Sequence, residues 1–107
     1  MTGPAISRID SLKALAQKEP GNGLIRYMLA NEHLKAKEYA SALEELGFYF
    51  GIADDEGSGY RMAAIAHLAL GQEEEAKGAY RTGIEAAGRH HHPGMASEFE
   101  AALEEIP

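Results

Sequence analysis

The chain lacks several features that would assign it to common protein classes. It contains no cysteine, which excludes disulfide bonds and thiol chemistry. No segment approaches the roughly 18 consecutive apolar residues that a membrane-spanning helix requires. The first ten residues have no apolar core of the kind found in signal peptides. We therefore expect a protein of the cytoplasm.

Positive charge is also scarce. Ten lysine and arginine residues stand against 17 aspartates and glutamates, which gives a formal net charge of −7. Nucleic-acid binding requires a basic stripe that neutralises phosphates, and anionic membrane surfaces attract basic segments. The sequence therefore argues against both nucleic-acid and membrane partners.

Signatures of catalysis are missing as well. The chain has no phosphate-binding loop, no nucleophile elbow and no metalloprotease motif. Its carboxylates are spread along expected helix faces and turns, where charged residues usually face water. We therefore expect that the protein is not an enzyme and needs no cofactor.

The apolar residues that are present recur three or four positions apart, and no segment alternates with a period of two. This pattern predicts an all-α protein with helices joined by breaks rich in glycine and proline. We predict that Leu68 lies on the packing side of the fourth helix. The loop that precedes this helix, residues 53–59, is expected to supply N-cap acceptors. In the fifth helix, Gly78 and Gly83 are expected to allow a neighbour to approach closely. The predicted helices span about 6–18, 23–36, 39–52, 59–70, 73–87 and 95–106.

One segment repeats an earlier one at a fixed interval. A period of this size is typical of repeat proteins, in which each repeat is one supersecondary unit stacked on the next. The residues that recur with the same identity 34 positions later include Met28, Ala30, His33, Leu34 and Ala42, matched by Met62, Ala64, His67, Leu68 and Ala76.

The spacing and the residue types resemble the tetratricopeptide repeat, a helix-turn-helix unit of about 34 residues. The first copy departs from that pattern with Arg26 in place of an aromatic residue and Tyr49 in place of a small one. The resemblance implies antiparallel helical hairpins stacked as a short right-handed solenoid in a single domain, 1–107. Its parts would be a half-repeat helix at 6–18, repeats at 23–56 and 57–90, and a C-terminal capping helix at 93–106. The matching residues are Leu29, Ala30, His33, Tyr39 and Ala42 in the first copy and Tyr60, Ala63, Ala64, His67, Gly71, Ala76 and Tyr80 in the second.

The resemblance also implies a concave surface lined by the first helix of each hairpin. Helical spacing would put Tyr27, Asn31 and Lys35 on this surface in the first repeat, and Arg61 and Ile65 in the second. Such groups could hold an extended acidic segment or a terminal carboxylate, although the same residues could equally be solvated helix sides. The resulting hypothesis is a non-catalytic module that binds a peptide or protein segment in its concave groove.

A different hypothesis is a structural protein that associates with itself as a homodimer. Repeat arrays usually need about three units for stability, and this chain has two complete ones. Dimerisation through an exposed helix face would relieve the shortage. The candidates for such a face are Phe99, Leu103 and Ile106, if the last helix does not fold back fully.

The histidines allow two interpretations. His33 and His67 would lie about 8–10 Å apart in stacked repeats, too far to share a metal, so we expect packing residues whose ring nitrogens are hydrogen-bonded. The run from His90 to His92 is the one cluster with ligand chemistry, and His90 and His92 are weak metal candidates that would make the protein metal-responsive. No cysteine or well-spaced acid completes such a site. An exposed loop without metal is therefore the favoured interpretation.

Overall fold

A computed structural model describes residues 7–107, which form six α-helices and, within that range, no strand. The all-α prediction is confirmed, and the helix ends within this range lie within two residues of the predicted positions. Ile6, the predicted first residue of the first helix, lies outside the described residues. None of the helices between Ser7 and Pro107 is long and apolar enough to cross a membrane. The helices are α1 (Arg8–Lys18), α2 (Gly23–Lys35), α3 (Tyr39–Ile52), α4 (Ser58–Ala69), α5 (Glu73–Arg89) and α6 (Pro93–Glu105).

The helices divide between two compact units. Unit 1 covers Met1–Ile52 and contains α1, α2 and α3, while unit 2 covers Ala53–Pro107 and contains α4, α5 and α6. In unit 1, α2 packs against both α1 and α3; in unit 2, α5 packs against both α4 and α6. Each predicted repeat therefore contributes one helical hairpin to its unit. Stacking of the two hairpins as a solenoid stays a prediction.

Capping side chains explain where several helices begin. The Ser7 hydroxyl accepts a hydrogen bond from the Asp10 amide, and the Asn22 side chain accepts from the amides of Leu24 and Ile25. These contacts satisfy N–H groups that have no partner within the helix. At α6 a proline, Pro93, occupies the start, where its missing N–H costs nothing.

The start of α4 uses a buried aspartate. One carboxylate oxygen of Asp55, Oδ2, accepts hydrogen bonds from the amides of Gly57 at 2.8 Å, Gly59 at 2.9 Å and Tyr60 at 3.4 Å. The Asp55 residue is only 3% exposed. The prediction that residues 53–59 supply a capping acceptor is therefore confirmed, with Asp55 in that role.

The same turn joins the helices of both hairpins. In the first, the amide of Glu38 donates to the carbonyl of His33 at 2.9 Å, and in the second the amide of Gln72 donates to the carbonyl of His67 at 2.8 Å. This is the hydrogen bond of a Schellman C-cap, which requires one residue in the left-handed region. The turn between α5 and α6 has the same form. The left-handed residues are Lys37 with φ 62°, Gly71 with φ 75° and His91 with φ 61°.

Both repeat histidines bond across these turns. His33 Nδ1 lies 2.8 Å from Glu38 Oε1, and His67 Nδ1 lies 2.7 Å from the side-chain oxygen of Gln72. His33 is buried and His67 is half-buried. The expectation that their ring nitrogens form hydrogen bonds is confirmed, and the bond recurs at the same interval as the repeat.

The core of unit 2 is built around Phe99. This side chain is fully buried, and its ring centroid lies 5.4 Å from that of Tyr80. Ile106 is buried in the same cluster, and Leu103 packs against it. The capping helix α6 is therefore folded onto its unit. Phe99, Leu103 and Ile106 were candidates for self-association only if the last helix did not fold back fully, and that condition is not met in this structure.

One packing prediction for α4 was wrong. Leu68 is 37% exposed, whereas Ala66 is fully buried. The buried residues of α4 are Gly59, Met62, Ala63, Ala64 and Ala66. These positions are mostly small residues and end at Ala66, so a leucine near the end of the helix is left at the surface.

Candidate functional site

The three partner-binding residues predicted in the first repeat lie along one side of α2. The Tyr27 ring packs edge-on against Tyr49, with 5.3 Å between the ring centroids. Tyr27 and Asn31 are half-buried, and Lys35 is exposed. The Lys35 ammonium lies 3.3 Å from a carboxylate oxygen of Glu32. We call Tyr27, Asn31 and Lys35 the α2 strip; it combines an aromatic ring, an amide and a cation at successive helical turns.

The two residues predicted in the second repeat lie on α4, in the other unit. Arg61 donates from Nε and Nη2 to the two carboxylate oxygens of Glu98 at 2.7 Å each, and its guanidinium lies 5.3 Å from the centroid of the Phe99 ring. The hydrogen bond from Arg61 lowers the pKa of the Glu98 carboxyl. Ile65 is 41% exposed. Arg61 therefore joins α4 to α6, and an acidic partner would compete with Glu98 for it.

The formal charge is divided unevenly between the units. Unit 1 contains six basic and six acidic residues, whereas unit 2 contains four basic and 11 acidic ones. The whole net charge of −7 therefore belongs to unit 2. Because like charges repel at the surface, unit 2 disfavours acidic segments more than unit 1 does.

Two histidines of the run from His90 to His92 contact acidic side chains, and these contacts were not predicted from the sequence. His90 Nε2 lies 2.9 Å from Asp54 Oδ2, and His92 Nε2 lies 2.6 Å from Glu56 Oε1. Arg89 also reaches Asp54, with 3.2 Å between Nη2 and Oδ1. Hydrogen bonds from His90 and His92 lower the pKa values of the Asp54 and Glu56 carboxyls, respectively.

Each of these histidines thus has its own carboxylate. Within residues 7–107, no three histidines or acids are grouped so that they could hold a metal ion. His90 and His92 instead attach the turn between α5 and α6 to the loop that precedes α4. The only sequence signal for this contact is that an acidic run, 54–56, and a basic run, 89–92, are both present.

A second polar feature lies in unit 1, at the residue where the first repeat departs from the family pattern. Arg26 Nη1 donates to Glu45 Oε1 at 2.8 Å, and the two side chains are 16% and 12% exposed. The guanidinium also lies 4.6 Å from the centroid of the Phe48 ring. The Arg26 Nε atom is buried and has no hydrogen-bond partner. The sequence showed the unusual arginine but not its ion pair across the hairpin.

The two hairpins are similar to each other, and this internal similarity supports a repeat. The turn hydrogen bonds and the histidine contacts both recur 34 residues apart. No protein-family model, curated protein or solved structure matches the chain.

Proposed function

We propose that this chain is a non-catalytic protein–protein interaction module of the tetratricopeptide type, and that it binds an extended peptide or protein segment. The observation that carries the proposal is the α2 strip. Tyr27, Asn31 and Lys35 lie on one partly exposed side of α2, in unit 1, which has no net formal charge. Aromatic, amide and cationic groups in a row suit the backbone and carboxylates of an extended segment. Arg61 and Ile65 are the partner-binding residues that we propose in the second repeat. The proposal places the protein in the cytoplasm.

The division of charge between the units supports placing the acidic residues of the partner segment on unit 1. Acidic residues of the partner belong over α2, because unit 2 carries the entire net charge of −7 and repels them. The exposed Ile65 suits an apolar residue of the partner. A partner of this kind has an acidic stretch followed or preceded by an apolar anchor.

Replacing Lys35 with glutamate is expected to reduce partner recovery about tenfold, because the change replaces attraction for an acidic segment with repulsion. The measurement is affinity capture from native cell extract, with the amount of each captured protein quantified by mass spectrometry. Lys18→Glu is the matched control, since it makes the same charge change at an exposed position of α1.

Circular dichroism should show equal helicity for both variants. If Lys35→Glu retains the same partners at the same yield as the unmodified chain, the proposed strip is wrong. Arg61→Glu is a poorer probe than Lys35→Glu. It would place a negative charge beside Glu98 and disturb the contact between α4 and α6 without any partner.

The alternative role, a self-associating structural protein, is favoured by one specific observation. Phe48 and Ile52 on α3 are 51% and 44% exposed. The neighbouring glycines, Gly47 and Gly51, have open space around the position of a Cβ atom. A second helix could approach this face closely. Light scattering that gives the monomer mass over a wide concentration series would exclude this role.

A further inference from the structure

A small pocket in unit 1 lies where α1, α2 and α3 come together. Its volume is about 300 Å³, and it is lined by Lys13, Ala16, Gln17, Arg26, Leu29 and Glu45, among others. This volume is at the lower end of the range for small-molecule sites, about 300–1,000 Å³. The pocket therefore has room for a small group rather than for a large ligand.

The Arg26 side chain at this pocket has unused hydrogen-bonding capacity. Its Nη1 donates to Glu45, but its Nε is buried without an acceptor. A buried donor without an acceptor is unfavourable. The Nε and Nη2 groups of arginine form one edge of a planar fork, which matches the two oxygens of a carboxylate. Arg26, which lines the pocket, therefore carries a donor that no described residue of the chain satisfies.

The other lining residues define the rest of the ligand. Arg26 and Glu45 offset each other's charge, so the exposed Lys13 leaves the lining with one net positive charge. The Gln17 side chain adds an amide that can donate a hydrogen bond. The walls provided by Ala16 and Leu29 are apolar. A single anionic group attached to a short aliphatic chain fits this combination.

We propose that this pocket binds a carboxylate carried on a short aliphatic group. The Nε and Nη2 groups of Arg26 hold the two oxygens, and the ammonium of Lys13 balances the charge. Because Nε is covered in this structure, the guanidinium turns toward the pocket as the ligand enters. The guanidinium contacts in this structure are the Nη1 hydrogen bond to Glu45 and the face of the Phe48 ring.

The carboxylate can belong to a free small acid or to the C-terminus of a peptide, since both present the same chemistry.

The pocket is separate from the α2 strip. By helical position, Arg26 and Leu29 lie on roughly the opposite side of α2 from Tyr27 and Asn31. Failure of the proposed partner-binding function would therefore leave this site unaffected, and the reverse is also true.

Nuclear magnetic resonance can test the site directly, because ¹H–¹⁵N spectra record the Nε–H group of arginine. Titration with sodium butyrate is expected to shift the Arg26 Nε–H signal in a saturable way. Butyramide, which has the same shape without the charge, and sodium chloride at equal ionic strength are expected to leave it in place. Lys13→Ala should raise the butyrate concentration at half-saturation about threefold, because it removes one solvent-screened ion pair between the lysine and the carboxylate. Lys18→Ala should not change it.

Several results would overturn the proposal. They are an absent shift, an equal shift with butyramide or sodium chloride, or an equal loss of affinity in the Lys13→Ala and Lys18→Ala variants. Both lysines are exposed on α1, so neither variant should prevent folding.

Acetyl-glycyl-valine and its amide then identify the source of the carboxylate. Tighter binding of the peptide acid than of butyrate, with no shift from the amide, assigns a peptide C-terminus. Tighter binding of butyrate assigns a free acid.

Discussion

Replacing Gly83 with alanine is expected to lower the free energy of unfolding by about 1–3 kcal/mol. An alanine Cβ at this position would lie 2.8 Å from Cε2 and 2.9 Å from Cδ2 of Phe99, and 3.2 Å from Cβ of Tyr60. The Phe99 ring is fully buried and packs against Tyr80, so it cannot move away from the added methyl group into solvent. The absence of a side chain at Gly83 is therefore what allows α6 to pack onto α5.

The same substitution at Gly78 provides the control. Gly78 lies on the same helix, and a Cβ atom there would meet nothing within 4 Å. Alanine is favoured over glycine in a helix by about 0.5–1 kcal/mol, so Gly78→Ala should stabilise the protein by that amount. Chemical denaturation of both variants measures the two effects. Changes of the same sign and size would contradict the described contact between α5 and α6.

Replacing Asp55 with alanine is expected to lower the free energy of unfolding by about 2–3 kcal/mol. The carboxylate accepts hydrogen bonds from the amides of Gly57, Gly59 and Tyr60 in a buried position. Alanine would leave these donors without their acceptor, where water has little access. Asp55→Asn should lose less stability, because its side-chain oxygen remains an acceptor while the charge is removed.

Hydrogen exchange offers a local readout of the same change. The amides of Gly57 and Gly59 should exchange faster in the Asp55→Ala variant, together with a lower denaturation midpoint. Asp54→Ala is the matched control, since Asp54 is exposed and its carboxylate pairs with the side chains of Arg89 and His90. Its effect on stability should be much smaller. Equal losses for Asp54→Ala and Asp55→Ala would show that Asp55 does not cap α4.

The helices could be predicted because their signals are local. Apolar residues three or four apart, with breaks such as Pro20 and Gly21, place each helix within two residues of its observed ends. The loop acceptor before α4 was also predictable, because aspartate in that position is a common cap. These features depend on neighbours in sequence and not on how helices pack.

Contacts between distant residues could not be predicted in the same way. The sequence shows small residues at both Gly78 and Gly83, but only the rotation of α5 against α6 determines which of them faces Phe99. The exposure of Leu68 was missed for a similar reason, since several faces of the alanine-rich α4 are apolar enough to pack. The pairing of His90 with Asp54 depends on the path of a loop 36 residues earlier. Helical periodicity contains no information on that path.

The proposed partner-binding surface can be tested by mapping the contact itself. Amide chemical shifts of the ¹⁵N-labelled chain would be compared before and after addition of the segment from a captured partner. We expect the largest changes at Tyr27, Asn31 and Lys35, with further changes at Arg61 and Ile65. The outer face of α6, around Glu100 and Glu104, should change little. Largest changes on α6 or around Phe48 and Ile52, with the α2 strip unchanged, would contradict the proposed function.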